Sequence, residues 1–316
     1  MIEAEHLSMN YGPVNALDDA GFVVQKGQIL GLLGPNGAGK STIMKILTTY
    51  LHPTKGTARI CGFDILKNPL EVRKRIGYLP ENLPLYLGME VGEYLDFVAE
   101  ARGLRGADKR LRIRWVLDHT GLGPMLHRPI IELSKGYRQR TALAQALVHD
   151  PEVVILDEPT TGLDPHQILD IRRLISELAK DKTVIFSTHI LQEVEAIAER
   201  VVIIADGRIK ADGPIEELAA KAEVQEEVNV LLLGPPQHFE PSLSALDGVT
   251  KIRQEHAPQG FSRFILSCDN AMAQTASIYS LAVAQNWELA ELAQNTPSLE
   301  AIFLALTKAE NPLLEA

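Results

Sequence analysis

The sequence has little cysteine, no excess of positive charge and no long hydrophobic run, and each absence excludes a class of protein. Its two cysteines, Cys61 and Cys268, lie far apart and match no metal-ligand spacing, which favours reduced thiols and a cytosolic setting. The formal net charge of -10 argues against a protein held on nucleic acid by phosphate contacts. The N-terminus lacks the regions of a signal peptide, and no run approaches the roughly 18 apolar residues of a membrane span. We therefore expect no nucleic-acid partner and a chain that does not cross a bilayer by itself.

The first two thirds of the chain, up to about Gly213, alternate short apolar runs with helical patterns. This alternation is typical of an α/β architecture. The pattern predicts buried strands at 28–34, 153–158 and 183–188, helices at 41–51, 166–180 and 189–200, and a hairpin at 200–213. Residues 90–120 have helical spacing throughout and interrupt the strand pattern. They predict an inserted helical subdomain at about 88–150.

A different pattern follows the acidic stretch PIEELAAKAEVQEEV (214–228). Strand-like runs lie at 228–234, 249–257, 261–268 and 287–294, and helical runs lie at 272–285 and 298–308. This order predicts a small α+β domain of a ferredoxin-like kind. We therefore expect a large α/β domain at 1–220 and an accessory domain at 224–316.

A glycine-rich segment, GPNGAGKS (34–41), follows the first apolar strand and opens a helix. It fits the pattern G-x-x-x-x-G-K-[ST] of a phosphate-binding loop, in which glycines let successive N–H groups face the phosphates. The following helix adds its positive end. Lys40 is expected to reach the β- and γ-phosphates, and the Ser41 hydroxyl to bind Mg²⁺. The predicted nucleotide-binding residues of this segment are Gly34, Pro35, Asn36, Gly37, Ala38, Gly39, Lys40, Ser41 and Thr42.

Polar residues end two further apolar strands. Asp157 and Glu158 close the run VVILDE, and His189 follows TVIFST. Strand ends in parallel sheets face the ligand crevice. Asp157 is therefore expected to hold Mg²⁺ through water, and Glu158 to take the proton from the attacking water. His189 is expected to donate a hydrogen bond from a neutral imidazole to a phosphoryl oxygen.

The loop LSKGYRQR (133–140) lies just before a helical run. Ser134 is a candidate helix cap, which would leave free N–H groups and the positive end of the helix dipole pointing outward. Such an end binds anions, and Gly136 permits close approach. Taken alone, these residues are equally compatible with a plain helix cap.

Together these motifs, in this order, resemble those of the ATP-binding subunit of ATP-binding cassette (ABC) transporters. The resemblance covers about residues 2–213. It implies a P-loop NTPase fold with a mixed sheet core and a helical subdomain, ATP and Mg²⁺ as ligands, and ATP hydrolysis. It also implies a head-to-tail homodimer around two ATP molecules. In that family a loop beginning Leu-Ser-Gly-Gly-Gln binds the γ-phosphate held by the opposite subunit, which implies this role for Ser134 and Gly136, whereas Lys135 and Tyr137 depart from the pattern.

Three further positions match the family, among them His189, which matches its switch histidine, and a fourth position departs from it. Tyr11 matches the aromatic residue that stacks on adenine, and Asp164 in TGLDP matches the residue that links the two sites across the dimer. Glu81 in IGYLPEN stands where the family usually has a glutamine that touches Mg²⁺ and the attacking water. The resemblance therefore predicts Glu81 as a metal ligand beside Ser41 and Asp157, in a loop that senses the membrane subunit.

The amino-acid sequences of three motifs, IGYLPE, LSKGYRQR and STHILQEVE, are most similar to those of the exporter-type (ABC-2) branch. Within that branch they are most similar to gliding-motility-associated ATP-binding subunits. This resemblance implies substrate export through separate transmembrane permease subunits, from a position on the cytoplasmic face of the cell membrane. The alternative is a soluble, non-transport ABC-type ATPase. A GTPase or small-molecule kinase is a third class, but the guanine motif Asn-Lys-x-Asp does not occur.

Overall fold

The computed structural model describes residues 1–222, 224–295 and 298–308. The chain folds as two units, one from Met1 to Ile215 and one from Glu216 onward.

The strands of the first unit are β1 (Ile2–Tyr11), β2 (Val14–Val24), β3 (Ile29–Leu33), β4 (Lys55–Ile60), β5 (Phe63–Asp64), β6 (Ile76–Leu79), β7 (Val153–Asp157), β8 (Thr183–Thr188), β9 (Arg200–Ala205) and β10 (Arg208–Gly213). Its helices are α1 (Lys40–Leu47), α2 (Pro69–Arg75), α3 (Val91–Ala101), α4 (Gly106–Thr120), α5 (Lys135–Leu147), α6 (Pro165–Leu178) and α7 (Leu191–Ile197). Helix α8 (Ile215–Lys221) begins at the boundary between the units.

The centre of the first unit is a six-stranded sheet in the order β10-β9-β3-β8-β7-β6. All of its pairings are parallel except that of β10 with β9. Strands β3, β7 and β8 are buried along their whole length, as expected for parallel strands covered on both faces. Because Leu33 pairs with Thr188 and Asp157 pairs with Ser187, the carboxyl ends of these three strands meet at one edge. The sequence motifs that follow them are therefore brought together there.

A second sheet, in the order β2-β1-β4-β5, is antiparallel. Its inward side chains, among them Leu7, Leu17 and Ile60, share a core with Ile43 of α1 and Val202 of β9. The sequence pattern predicts none of its strands. The reason is irregular pairing: the registers of β1 with β2 and with β4 shift at several points, which breaks the alternation of apolar and polar residues.

The helical prediction over 90–120 is confirmed, and the structure divides this segment into two helices, α3 and α4, joined by residues 102–105. Gly103 has φ +88°, a left-handed conformation that ends α3. Helices α3, α4 and α5 contact one another. Helix α5 begins after Ser134, whose Oγ accepts a hydrogen bond from Tyr137 N at 3.4 Å.

The second unit contains β11 (Glu226–Leu233), α9 (Glu240–Ser244), β12 (Val249–Glu255), β13 (Phe261–Cys268), α10 (Ala271–Ala284), β14 (Leu289–Asn295) and α11 (Leu299–Lys308). Its sheet has the order β12-β13-β11-β14 and is antiparallel throughout. The succession βαββαβ in this order is ferredoxin-like. Its core includes Val230, Phe264, Leu266 and Ile278. Within the ranges that the structure describes, in either unit, no helix has the length and apolar content needed to span a membrane.

Candidate active site

The glycine-rich segment turns tightly between β3 and α1. Gly37 and Gly39 have φ values of +82° and +110°, which residues with a Cβ rarely adopt. At Gly34 a Cβ would lie 2.3 Å from the backbone oxygen of Ile204, so only glycine fits against β9. Helix α1 then starts at Lys40 with Gly39 at its N-cap, and no side chain covers its first N–H groups. The segment therefore presents the free amides of a helix N-terminus, which suit an anion.

The Lys40 ammonium lies between the loop and the acids at the end of β7. Its Nζ donates hydrogen bonds to the carbonyls of Gly34 at 2.7 Å and Pro35 at 3.2 Å, and lies 3.9 Å from Glu158 Oε1. The side chain is only 6% exposed. Burial lowers its pKa, and the negative charges of Glu158, Asp157 and Glu81 act in the opposite direction. The arrangement holds a cation against the loop in surroundings where electrostatic attraction is strong.

Asp157 is buried at the end of β7 and joins two serine hydroxyls. Its Oδ1 accepts hydrogen bonds from Ser41 Oγ at 3.1 Å and from Ser187 Oγ at 2.6 Å. The Ser41 hydroxyl and the Asp157 carboxylate are both hard oxygen donors, which fit Mg²⁺. Among the described residues no cluster of three or more His, Cys, Asp or Glu side chains could hold a metal by itself. The donor set thus suits an ion that takes its other ligands from phosphate oxygens and water, as Mg²⁺ usually does.

Glu158 and His189 form a hydrogen-bonded pair. His189 Nδ1 lies 2.9 Å from Glu158 Oε2, and Thr161 Oγ1 donates to the same oxygen at 3.2 Å. Glu158 is 8% exposed, whereas the His189 side chain is 47% exposed. A carboxylate so placed can accept a proton from a water, and the more exposed imidazole can reach a group in the cavity.

These groups surround a cavity of about 470 Å³. It is lined by Ala16, Asn36, Gly37, Gly39, Lys40, Ser41, Thr42, Glu81, Glu158, Thr161 and His189. A second cavity of about 410 Å³ also includes Ser41, Glu81 and Asp157. Glu81 thus lines both spaces and is exposed. The structure brings together the predicted loop residues, both acids and the histidine.

Other predicted residues lie outside this cluster. Tyr11 ends β1 at the turn to β2, is 43% exposed and does not line the cavity. Ser134 and Gly136 lie at the start of α5 and do not line the cavity either. Asp164 caps α6 by accepting a hydrogen bond from Gln167 N at 3.0 Å. Within one chain, the loop 133–136 does not contribute to the cavity beside Lys40.

Sequence reasoning missed two polar residues that contact the acids. Ser187 joins Asp157 and also accepts a hydrogen bond from Glu158 N at 3.0 Å, while Thr161 bonds Glu158. The apolar pattern includes Ser187 in the strand TVIFST, where a serine is compatible with a buried sheet position. The signal that could have singled it out is its place at the carboxyl end of that strand, two residues before His189.

Comparisons with known proteins agree with this geometry. The family described as "ABC transporter" matches residues 17–161. The "ABC transporter ATP-binding protein NatA" of Bacillus subtilis is 36% identical over 70% of this chain and 90% of its own length. The "Nod factor export ATP-binding protein I" of Ralstonia nicotianae is 37% identical over 69% of this chain and 68% of its own length. Among solved structures, the "Dimeric Structure of MJ0796, a Bacterial ABC Transporter Cassette" matches with a TM-score of 0.63 and 26% identity, over 68% of this chain and 99% of that one.

Proposed function

This chain belongs to the ABC transporter family of ATP-binding proteins, and on that premise we propose that it hydrolyses ATP to drive export through separate permease subunits. The observation that supports the proposal is that Lys40, Ser41, Glu158 and His189 line one cavity. The Asp157 carboxylate accepts a hydrogen bond from Ser41 beside it. A phosphate-binding loop, a hard oxygen pair and a general base within reach of one another are the parts that phosphoryl transfer to water requires.

Each residue is proposed to act on a triphosphate in this cavity. The amides of the loop 34–42 would bind the phosphates, and Lys40 would offset the charge of the β- and γ-phosphates. Ser41 and Asp157 would hold Mg²⁺, with Glu81 beside them, and the ion would neutralise charge on the phosphate oxygens when bound. Glu158 would take the proton of the attacking water, and His189 would orient the γ-phosphate. Tyr11 would stack on the adenine from the end of β1.

We further propose a head-to-tail homodimer. The N-terminus of α5, with Ser134 exposed and Gly136 lacking a side chain, is a suitable surface for an anion but lies outside the cavity of its own chain. In a dimer it would complete the site of the other copy, and Asp164 would lie near the contact. The similar cassette named above is described as dimeric, which supports this assembly.

The permease contact is proposed at a groove beside Glu81. A cavity of about 630 Å³ lies between the end of α1 and helix α3 and is lined by Tyr50, Tyr78, Phe97 and Arg102, among others. Tyr50 and Phe97 are 75% and 47% exposed, which makes them suitable anchors for a partner segment. Tyr50, Tyr78 and Arg102 also line the smaller cavity that contains Glu81 and Asp157. A partner here would touch the surroundings of the metal ligands.

We propose that the chain serves an exporter of the ABC-2 branch and is similar to gliding-motility-associated subunits. The support is the amino-acid sequence of its motifs and the name of one relative, which refers to export. The chain would then work on the cytoplasmic face of the cell membrane. We assign the ATPase to residues 1–220, with its helical subdomain at about 88–150, and an accessory role to 224–316.

Affinity purification of the tagged chain from detergent-solubilised membranes tests the transport assignment. We expect a multi-span membrane protein to co-purify in amounts comparable with the chain, and Tyr50→Ala, in the groove, to reduce it. Val14→Ala, a change at the exposed apolar residue that begins β2, is the control. Recovery of the chain without any membrane protein, together with normal ATPase activity, would favour the soluble ATPase instead.

A further inference from the structure

The backbone at Glu158 has an unusual conformation. Its φ is +51°, in the left-handed region that residues with a Cβ rarely occupy. Such a conformation persists only where the surroundings fix it. Because the direction of the Glu158 carboxylate follows from this backbone turn, whatever fixes the turn also fixes the proposed general base.

Hydrogen bonds hold the turn from two sides. On one side, Ser187 Oγ of β8 accepts a hydrogen bond from Glu158 N at 3.0 Å. On the other, Gln139 Nε2 of α5 donates to the carbonyl oxygen of Pro159 at 2.9 Å. Gln139 is 4% exposed. Since proline has no N–H, this carbonyl is the only backbone polar group by which residue 159 can be held.

Helix α5 begins directly after Ser134, which is proposed to face the ATP of the other copy. Gln139 lies five residues after Ser134, about one and a half helical turns away. The first turn of α5 is also packed on the start of α6: a Cβ at Gly136 would lie 2.4 Å from Gln167 Oε1. A displacement of the start of α5 would therefore move Gln139 and with it the hydrogen bond to Pro159.

We propose that Gln139 is a positioning residue for Glu158, and that it links the Ser134 surface of a chain to the general base of the same chain. The inference rests on the proposed function, because it takes Glu158 as the base and Ser134 as the surface that meets the second nucleotide. Engagement of Ser134 by the ATP of the other copy would thereby set Glu158 for its own ATP. The two sites of the dimer would be coupled through α5.

The test compares Gln139→Met with wild type, alone and combined with Glu158→Gln. Methionine keeps the length of the side chain but removes the donor. We expect kcat to fall about 5- to 30-fold, the effect of losing one buried hydrogen bond, while KM for ATP and ATP-dependent dimerisation stay unchanged. In the Glu158→Gln background the added change should lower the residual rate by less than about twofold, because both act through one group.

Gln274→Met is the matched control. Gln274 is 6% exposed, lies in the second unit, and likewise donates its amide to a backbone carbonyl, that of Asp247. Its loss should leave kcat unchanged. The positioning role would be overturned if Gln139→Met lowered kcat by the same factor in both backgrounds. It would also be overturned if the change altered KM for ATP and dimerisation instead of kcat. A wild-type rate for Glu158→Gln itself would instead overturn the proposed function, and the inference with it.

Discussion

Lys40 is the residue on which the charges of the site converge. Its ammonium is buried, bonded to two loop carbonyls and close to Glu158, with Asp157 and Glu81 as further acids in its surroundings. Burying charged groups is favourable only when they are paired and hydrogen-bonded. A triphosphate would bring several negative charges to this cavity, so the ammonium, the loop amides and a metal ion must together balance phosphates and carboxylates. The function of each side chain here depends on its neighbours.

Glu158→Gln is expected to separate nucleotide binding from turnover. The amide preserves the shape of the side chain and its contact with Thr161 but cannot accept a proton. We expect ATP to bind and the rate of hydrolysis to fall about 10²- to 10⁴-fold, the usual effect of losing a general base. Steady-state phosphate release and equilibrium binding of ATP measure the two properties. Glu152→Gln, an exposed acid just before β7, is the control; a variant at 158 with unchanged turnover would remove Glu158 from the mechanism.

Glu81→Gln is expected to leave ATP affinity equal or tighter. The change removes a negative charge beside the proposed metal ligands while keeping an oxygen donor. Carboxylates are the better ligands for Mg²⁺, but repulsion from Asp157, Glu158 and the triphosphate is relieved at the same time. With ATP bound we expect repulsion to dominate. Hydrolysis should persist, and its stimulation by the permease should change.

ATPase rate against Mg²⁺ concentration, with and without the membrane subunit, checks the prediction for Glu81. Complete loss of basal hydrolysis in Glu81→Gln would make Glu81 an essential ligand or base. The assignment of the base to Glu158 would then be wrong.

At the scale of elements, the sequence predicted those strands best whose apolar residues form one continuous run. The continuous apolar runs of β3, β7 and β8 predicted buried parallel strands, and the motifs after them predicted which side chains gather at the sheet edge. The pairwise contacts there, such as His189 with Glu158, were beyond the sequence because they depend on register between distant strands. The strands β1, β2, β4 and β5 were not predicted, since bulges and short lengths hide their period.

The segment just after α5 is linked to the start of β6 by the partly buried side chain of His149. His149 Nε2 lies 3.0 Å from the carbonyl oxygen of Ile76, while its Nδ1 is buried without a partner among the described residues. Burial, together with the positive charge of Arg102, lowers the pKa of His149 from 6.5 to about 4. In the unfolded chain the imidazole therefore binds a proton at higher pH than in the folded one. Between these two values the unfolded state holds more protons, so the free energy of unfolding decreases as the pH falls.

His149→Gln is expected to weaken this pH dependence. Glutamine keeps an N–H donor for Ile76 but does not titrate. Urea unfolding at several pH values from about 6.5 down to about 4 should show a smaller loss of stability than in wild type. His127→Gln is the control, because that side chain is 86% exposed. Equal slopes for wild type and His149→Gln would contradict the prediction.

At the scale of the whole molecule, the proposed homodimer would bring two segments of different chains to each site. The cavity contains Lys40, but Ser134 and Gly136 are not among its lining residues. A second copy placed head to tail would supply them. The sequence could predict this arrangement only through its family resemblance, since no periodicity or composition records which surface meets another chain.

Two inactive variants test whether sites are shared between copies. Lys40→Ala removes the buried cation that would face the β- and γ-phosphates, so we expect it to abolish productive ATP binding in its own loop. Ser134→Glu places a negative charge where the triphosphate of the other copy is proposed to bind. An acid at a helix N-terminus is favourable for the helix itself, so this chain should remain folded. Each variant alone should lack ATPase activity.

Mixing the two variants should restore activity. A mixed dimer has one site with Lys40 from the Ser134→Glu chain and Ser134 from the Lys40→Ala chain, and this site is intact. ATPase rate at constant total protein should therefore rise to a maximum near equal amounts of the two chains. The double variant Lys40→Ala/Ser134→Glu, mixed with either single variant, is the control, because none of its mixed dimers contains an intact site. If the two single variants stay inactive when mixed although both are folded, Ser134 of one copy does not complete the site of the other, and the head-to-tail dimer must be abandoned.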